Sequence, residues 1–286
     1  MGRRITMAVG ATAALGAALA LTACDANDGT NANANNVRLS ASDVVLAASK
    51  KTQGTDTFKA ALTLKDGDGG QVSGTARFRL RPKLQFTGQL DGIGFGGAGA
   101  TASGQAIFTG DTLYAKLPQA AKFVSGGKPW LKVDLAQVQQ RTGFDVRGLV
   151  DRLQQVDPAK LTAMFTGSED VRRVGTETVD GVKTTRYAGT VTVDEALRRL
   201  DAQARDAAKP YLPQEAANSK LTFDLWVDGA GLPREVVVKG VGRSGGDGSL
   251  KVLYSDFGKK FSVNPPPADE TGALTLDGLF GGTPGN

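Results

Sequence analysis

The stretch FKAALTLKDGDGGQVSGTARFRL, residues 58–80, decides the fold. Apolar residues alternate with polar ones on both sides of residues 66–70, which is the pattern of two strands with one apolar and one wet face. The Asp and Gly residues of 66–70 are typical of a tight turn between such strands. We therefore predict an antiparallel hairpin that begins a longer meander.

The same two-residue period recurs along most of the chain. It continues after Pro82 through Leu84, Phe86, Gly88 and Leu90. Turn signals at Gly110-Asp111 and Asp180-Gly181 separate further strands. The later strands are predicted at residues 106–108, 113–117, 130–135, 174–179, 184–190, 220–227, 233–241 and 249–257.

Helical spacing interrupts the strands in three places. Ser40-Ala41-Ser42-Asp43 has the residues of a capping box and predicts a short helix from Val44. Apolar residues recur every three or four positions over 146–153, and Asp157-Pro158 then predicts a helix start. A third helix is predicted over 193–208.

This order of elements predicts an α+β domain in which helices cover one face of a large curved antiparallel sheet. Either sheet face can be the concave one, because a shift of one residue exchanges the two faces of a strand. The concave face can be filled by side chains or can enclose a hollow. Aromatic residues are only 6% of the chain, which favours a hollow weakly, so both alternatives stay open.

The N-terminus has the three parts of an export signal. Arg3 and Arg4 precede an uncharged apolar run, residues 5–20, and Leu21-Thr22-Ala23-Cys24 follows. This last tetrapeptide resembles the lipobox of bacterial lipoproteins, which implies lipidation of Cys24 and cleavage before it. The alternative is a buried Cys24 thiol after an ordinary anchor helix. The sequence leaves the export route, Sec or Tat, open.

We therefore divide the chain into four parts. Residues 1–23 are the predicted signal peptide, and residues 24–36, rich in Asn, Asp and Ala, are a predicted disordered tether. Residues 37–267 are the predicted folded domain, and the Gly-rich residues 268–286 are a predicted mobile tail. The mature protein is expected at the extracytoplasmic face of the cell membrane, held there by its lipid anchor.

The composition argues against several functions. The chain has no histidine, so a Ser-His-Asp mechanism and the usual imidazole ligands of zinc are excluded. Asp66 and Asp68, which could form a carboxylate pair, lie in the Gly-rich turn. Removal of Arg3 and Arg4 with the signal lowers the net charge from +5 to +3, with no long basic run. We predict no enzyme, no cofactor, no metal site and no nucleic-acid partner.

Several strand and turn motifs carry a family resemblance over about residues 37–267. They resemble actinobacterial lipoproteins of the LppX, LprA, LprF and LprG type. The resemblance implies a half-barrel like that of the lipoprotein carrier LolA, with helices over the concave face and a cavity for lipid acyl chains. The motifs are Gly110–Tyr114, Trp130–Leu135, Val179–Thr190, Leu225–Asp228, Leu232–Arg234 and Ser255–Gly258.

These observations together predict a membrane-anchored lipoprotein that binds, and transfers, lipids or glycolipids. Its expected partners are the lipid ligand, the membrane and, as a further candidate, an envelope transporter. The alternative is a non-enzymatic envelope scaffold or sensor with a filled core. The residues predicted to line the cavity are Phe58, Leu62, Phe78, Leu80, Phe86, Leu221, Phe223, Leu225 and Val227 from the sheet, with Leu149, Leu153, Leu161, Met164 and Phe165 as a helical lid.

Overall fold

The computed structural model describes residues 39–65, 70–94, 101–116, 126–135, 156–208, 218–241 and 248–273. All of these described residues belong to one unit. The helices are α1 (Ala41–Gln53), α2 (Pro158–Ala163), α3 (Val193–Arg198) and α4 (Ala202–Ala208), with short 3₁₀ helices at Met164–Gly167 and Ala268–Glu270. The strands are β1 (Thr57–Lys65), β2 (Gln71–Arg79), β3 (Gln85–Gly94), β4 (Thr101–Thr109), β5 (Thr112–Lys116), β6 (Trp130–Asp134), β7 (Arg172–Val179), β8 (Val182–Thr192), β9 (Lys220–Asp228), β10 (Pro233–Lys239), β11 (Ser249–Ser255) and β12 (Thr271–Ala273).

The strands form one open sheet in the order β12-β6-β5-β4-β3-β2-β1-β11-β10-β9-β8-β7. Every neighbouring pair is antiparallel except β12 and β6, which are parallel. Consecutive strands are neighbours from β1 to β6 and from β7 to β11, so the sheet consists of two meanders. Antiparallel pairing of β1 with β11 joins them. The α+β half-barrel predicted from the sequence is confirmed.

Two tight turns have the conformation that their residues favour. Gly110 and Asp111 connect β4 to β5 with φ of 58° and 61°, and Asp180 and Gly181 connect β7 to β8 with φ of 48° and 77°. Positive φ at both central residues is the signature of a type I′ turn, whose twist matches that of the flanking strands. Glycine and aspartate tolerate this left-handed region better than most residues.

Two helix starts follow the sequence signals, and one predicted helix is broken. Ser40 and Asp43 form the complete capping box of α1. The helix predicted over 193–208 ends instead at Arg198, and α4 begins at Ala202. The Asp201 carboxylate accepts a hydrogen bond from the backbone N–H of Ala204 at 2.8 Å. Because an aspartate in this position caps a new helix, it divides the predicted helix into two.

The two faces of the sheet differ in polarity. The inner face, defined as the one that carries Phe58, Phe78 and Phe86, belongs to one apolar cluster with Val45 of α1 and Leu161 of α2. These helices therefore cover the inner face, which settles the choice between the faces.

The outer face is polar, even where it is buried. Asp224 is only 8% exposed and accepts a hydrogen bond from the Arg186 guanidinium at 2.9 Å. The Trp226 indole N–H donates to Glu177 at 2.7 Å, and Arg186 lies over its ring. Each buried polar group here has a partner, as burial requires.

The C-terminal segment begins with ordered structure. Residues 268–286 were predicted to be mobile, yet Ala268–Glu270 form a 3₁₀ helix and Thr271–Ala273 form β12. Thr271 pairs with Trp130 of β6, and the Lys128 ammonium donates to the Asp269 carbonyl at 2.7 Å. Residues 268–273 therefore have regular secondary structure, and the last three supply backbone partners to the edge of β6. Residues 274–286 lie outside the described part.

Candidate functional site

The structure brings the described members of the predicted cavity together. Cys24, Leu149 and Leu153 lie outside the described residues. The other predicted residues all belong to, or pack against, one apolar cluster between the inner face and the helices. They are Phe58, Leu62, Phe78, Leu80, Phe86, Leu161, Met164, Phe165, Leu221, Phe223, Leu225 and Val227.

Around β8 and β9 the inner face is filled by side chains. Phe165, from the 3₁₀ helix, stacks on Phe223 with 4.3 Å between ring centroids, and neither residue is exposed. Gly189 lies opposite Phe223 on the neighbouring strand. A Cβ atom on Gly189 would lie 2.6 Å from the Ser168 hydroxyl and 2.9 Å from the Phe223 ring. Glycine therefore allows the 3₁₀ helix to approach the sheet this closely.

An aromatic row crosses the other half of the inner face. Phe58, Phe78, Phe86 and Phe108 are successive cross-strand partners on β1 to β4. Their ring centroids are 5.2, 5.7 and 5.7 Å apart, within the range of favourable aromatic pairs. All four rings are buried. The row gives this half of the sheet a rigid apolar floor.

A row of small residues runs beside the aromatic row, two positions further along each strand. Successive cross-strand pairs define it on β1 to β5. The small-residue row consists of Ala60, Ala76, Gly88, Ala106 and Ala115. At about 4.8 Å between strands, five strands span about 19 Å. One leaflet of a bilayer has a hydrocarbon thickness of about 15 Å, half of the whole core. The length of the small-residue row across the five strands is therefore similar to the length of one lipid acyl chain.

The small-residue row is less completely covered than the filled half. Ala60 is buried, but Ala76, Gly88, Ala106 and Ala115 are only half-buried. Nothing larger than glycine fits at position 88, since a Cβ atom there would lie 2.6 Å from the Thr75 carbonyl oxygen. The row therefore presents only small groups on the inner face, and four of its five residues are partly accessible to solvent.

Large apolar residues flank the row on its other side and reach solvent. Leu62, Gly74 and Leu90 are cross-strand partners on β1, β2 and β3. Leu90 is 38% exposed and Leu64, further along β1, is 42% exposed. The apolar surface is therefore continuous from the buried aromatic row to exposed leucines.

Several inner-face residues were not among those predicted. Phe108, Val236, Val252 and Tyr254 belong to the same buried cluster. The alternation of β4, β10 and β11 was the signal for them. It could not show that β11 pairs with β1, because the partners Leu64 and Leu250 are 186 positions apart in the sequence.

A buried polar group lies where α2 meets the inner face. The Tyr254 hydroxyl donates to the Val156 carbonyl at 3.0 Å, and burial raises the pKa of this phenol well above its ordinary value. The Asp157 carboxylate accepts a hydrogen bond from the Ala159 N–H at 2.8 Å and caps α2. Burial raises the pKa of Asp157, although this hydrogen bond and the charges of Lys160 and Arg81 oppose the shift.

The raised pKa of Asp157 predicts a pH-dependent stability. The folded state holds the Asp157 proton to a higher pH than the unfolded state, so the contribution to stability is present below the ordinary pKa of 3.8 and is lost as pH rises through the raised value. Asp157→Asn keeps a side-chain oxygen that can cap α2 but cannot ionise. The variant is therefore expected to remove the loss of stability that wild type shows as pH rises. We expect its free energy of unfolding, relative to wild type, to increase as pH rises above the ordinary Asp pKa of 3.8.

Denaturant unfolding followed by tryptophan fluorescence from pH 4 to 8 measures this difference. Asp43→Asn, at the exposed first turn of α1, is the matched control for loss of a carboxylate near a helix start. Because the chain has no histidine, we expect both curves to be nearly flat between pH 6 and 8. A constant difference between Asp157→Asn and wild type across the whole range would contradict the prediction.

The described residues also bear on metals and membranes. Among them, no group of three or more Cys, Asp or Glu side chains is placed to hold a metal ion. None of the helices in the described ranges is both long enough and apolar enough to cross a bilayer.

These features define an α+β half-barrel fold with an apolar inner face under a helical cover. The crystal structure of LprF from Mycobacterium bovis has this fold, with a TM-score of 0.54 and 16% identity. The match covers 79% of this chain and 96% of the LprF chain. The resemblance to lipoproteins of the LppX, LprA, LprF and LprG type is thereby confirmed at the level of the fold.

Two Streptomyces proteins are similar in sequence. The "Uncharacterized 31.2 kDa protein in rplA-rplJ intergenic region" of Streptomyces griseus is 28% identical over 228 residues, which are 79% of this chain and 73% of that protein. The "Putative lipoprotein SCO4650" of Streptomyces coelicolor is 25% identical over 174 residues, 60% of this chain. The matched region is 51% of the length of SCO4650. No family model matches the chain.

Proposed function

We propose that this protein is an envelope lipoprotein that binds lipids or glycolipids on its inner face and transfers them. Acylated Cys24 would anchor it at the extracytoplasmic face of the cell membrane, and residues 24–36 would let the domain reorient there. The function needs no catalysis and no cofactor. An envelope transporter is a candidate donor or acceptor of the lipid.

The observation that carries this proposal is the small-residue row. An acyl chain of about 16 carbons loses on the order of 12 kcal/mol on leaving a bilayer, at ~0.8 kcal/mol per CH₂. A carrier must return most of this free energy through apolar contact. The half-buried alanines, with the aromatic row on one side and Leu62 and Leu90 on the other, offer such contact over about 19 Å.

Two comparisons support the lipoprotein part of the proposal. The fold is that of LprF, and a relative in Streptomyces coelicolor is described as a lipoprotein. Both agree with the lipobox at Leu21–Cys24.

The filled half of the inner face favours the alternative function. Phe165, Phe223 and Leu225 were predicted to line a cavity, and all three are completely buried among other side chains. A scaffold or sensor would need only such a core. The two functions therefore differ in whether the space above Ala76, Gly88 and Ala106 holds a ligand.

Native mass spectrometry of the purified full chain tests the proposal. We expect the mass of the native protein to exceed that of the denatured protein by the mass of one lipid. Denaturation releases a bound lipid but keeps the covalent anchor. After incubation with vesicles of isotope-labelled lipid, the excess mass should change to that of the labelled lipid, which demonstrates transfer. Equal native and denatured masses before and after incubation would contradict lipid binding and favour the scaffold.

A further inference from the structure

A pocket lies where β1 begins and β2 ends, at the edge of the aromatic row. It has a volume of about 80 Å³. This is room for one small oxyanion. The lining residues are Phe58, Arg77, Asp256, Lys259, Lys260 and Phe261, and we call this site the basic pocket.

The backbone after β11 builds one wall of the basic pocket. Asp256 has a φ of 56° and Gly258 a φ of 71°, so the chain turns sharply after the strand. The Gly258 N–H donates to the Thr57 carbonyl at 2.9 Å, which fastens the turn to the start of β1. Arg79 donates to the Phe261 carbonyl and lies over the Phe261 ring. These contacts hold Lys259 and Lys260 beside the sheet.

The charge of the basic pocket is positive. Arg77, Lys259 and Lys260 face a single carboxylate, that of Asp256. The Asp256 carboxylate lies 2.6 Å from the Lys259 ammonium and 3.9 Å from the Arg77 guanidinium. The hydrogen bond from Lys259 is the main cause that lowers the pKa of Asp256. Lys260 makes no hydrogen bond or ion pair with any other described residue and is exposed. Lys59, the cross-strand partner of Arg77, adds a further cation.

We propose that the basic pocket binds the phosphate group of an anionic phospholipid headgroup. Arg77 and Lys260 would contact the phosphate oxygens, while Asp256 holds Lys259 in position. The predicted anchor keeps the domain within reach of headgroups, because a flexible coil of residues 24–36 spans roughly 20 Å. The proposal rests on this anchor, and it is independent of lipid binding on the inner face.

The test compares nanodiscs that contain the lipidated full chain. One set contains phosphatidylglycerol and the other only phosphatidylcholine. Modification of each lysine by an amine-reactive reagent is measured by peptide mass spectrometry. A cation near an anionic membrane strengthens binding about fivefold, so we expect at least about fivefold slower modification of Lys260 with phosphatidylglycerol. Lys50 and Lys51, exposed on α1, are the internal references.

Two variants and a soluble ligand complete the test. Arg77→Gln should reduce the protection of Lys260 to less than twofold, whereas Arg172→Gln, an exposed arginine on β7, should leave it unchanged. Glycerol phosphate added to the phosphatidylcholine set reports on a free phosphate ligand. Protection of Lys260 by glycerol phosphate but not by phosphatidylglycerol would overturn the headgroup assignment. Equal protection of Lys50, Lys51 and Lys260 by phosphatidylglycerol would overturn it too. If the predicted lipid anchor were absent, the protein would not co-purify with nanodiscs, which distinguishes this outcome from a failure of the basic pocket to bind phosphate.

Discussion

Cys24→Ala is expected to release the protein from membranes. Cys24 is the only cysteine, so no other thiol can accept the diacylglyceryl group. A single myristoyl chain gives only marginal binding, at ~0.8 kcal/mol per CH₂, and two chains make the attachment stable. We therefore expect complete loss of radioactive fatty acid from the variant, together with loss of cleavage after Ala23.

Thr22→Ala is the matched control for the anchor. It changes a small residue two positions before Cys24 and keeps the apolar and small character of the lipobox. It should label with fatty acid and sediment with membranes as wild type does. If Cys24→Ala still incorporated the label and sedimented with membranes as tightly as wild type, the prediction of lipidation at Cys24 would be wrong.

Ala106→Trp is expected to displace lipid from the inner face without unfolding the protein. Ala106 is the fourth of the five residues in the small-residue row and is half-buried. If the space above it holds an acyl chain, an indole ring can occupy that space. We expect extractable lipid per protein to fall about tenfold, while the free energy of unfolding changes by less than ~1 kcal/mol.

A filled core would respond to the same variant in the opposite way. Overpacking of a filled core costs ~1–3 kcal/mol, with no change in lipid content. Ala61→Trp, on the outer face of β1, is the matched control and should leave the lipid content unchanged. Leu225 would be a poor position for this test, because it is already fully enclosed by Tyr187, Val236 and their neighbours.

The strands could be predicted because the sequence signal for each lies within the strand and its adjoining turns. The alternation of Phe58, Ala60 and Leu62 is local, and so are the turn signals at Gly110 and Asp180. The break before α4 was missed because the capping hydrogen bond of Asp201 competes with a helical pattern that continues on both sides. Strand β12 is three residues long and too short for any period to show.

The candidate site depended on information that is not local. Each alanine of the small-residue row is unremarkable in its own strand, and only the register places Ala60, Ala76 and Ala106 side by side. The basic pocket likewise joins residues of β1 and β2 to Lys259 and Lys260, far along the chain. Sequence alternation could select the apolar set but could not show where that set is filled.

The short parallel pair of β12 with β6 limits how the C-terminus can be engineered. Thr271–Ala273 occupy the hydrogen-bonding edge of β6, and exposed strand edges are sites at which chains associate. An affinity tag or fusion partner is therefore best joined after residue 273. A shortened chain that ends at Pro267 would uncover the Trp130–Lys132 edge and offer it to a second molecule.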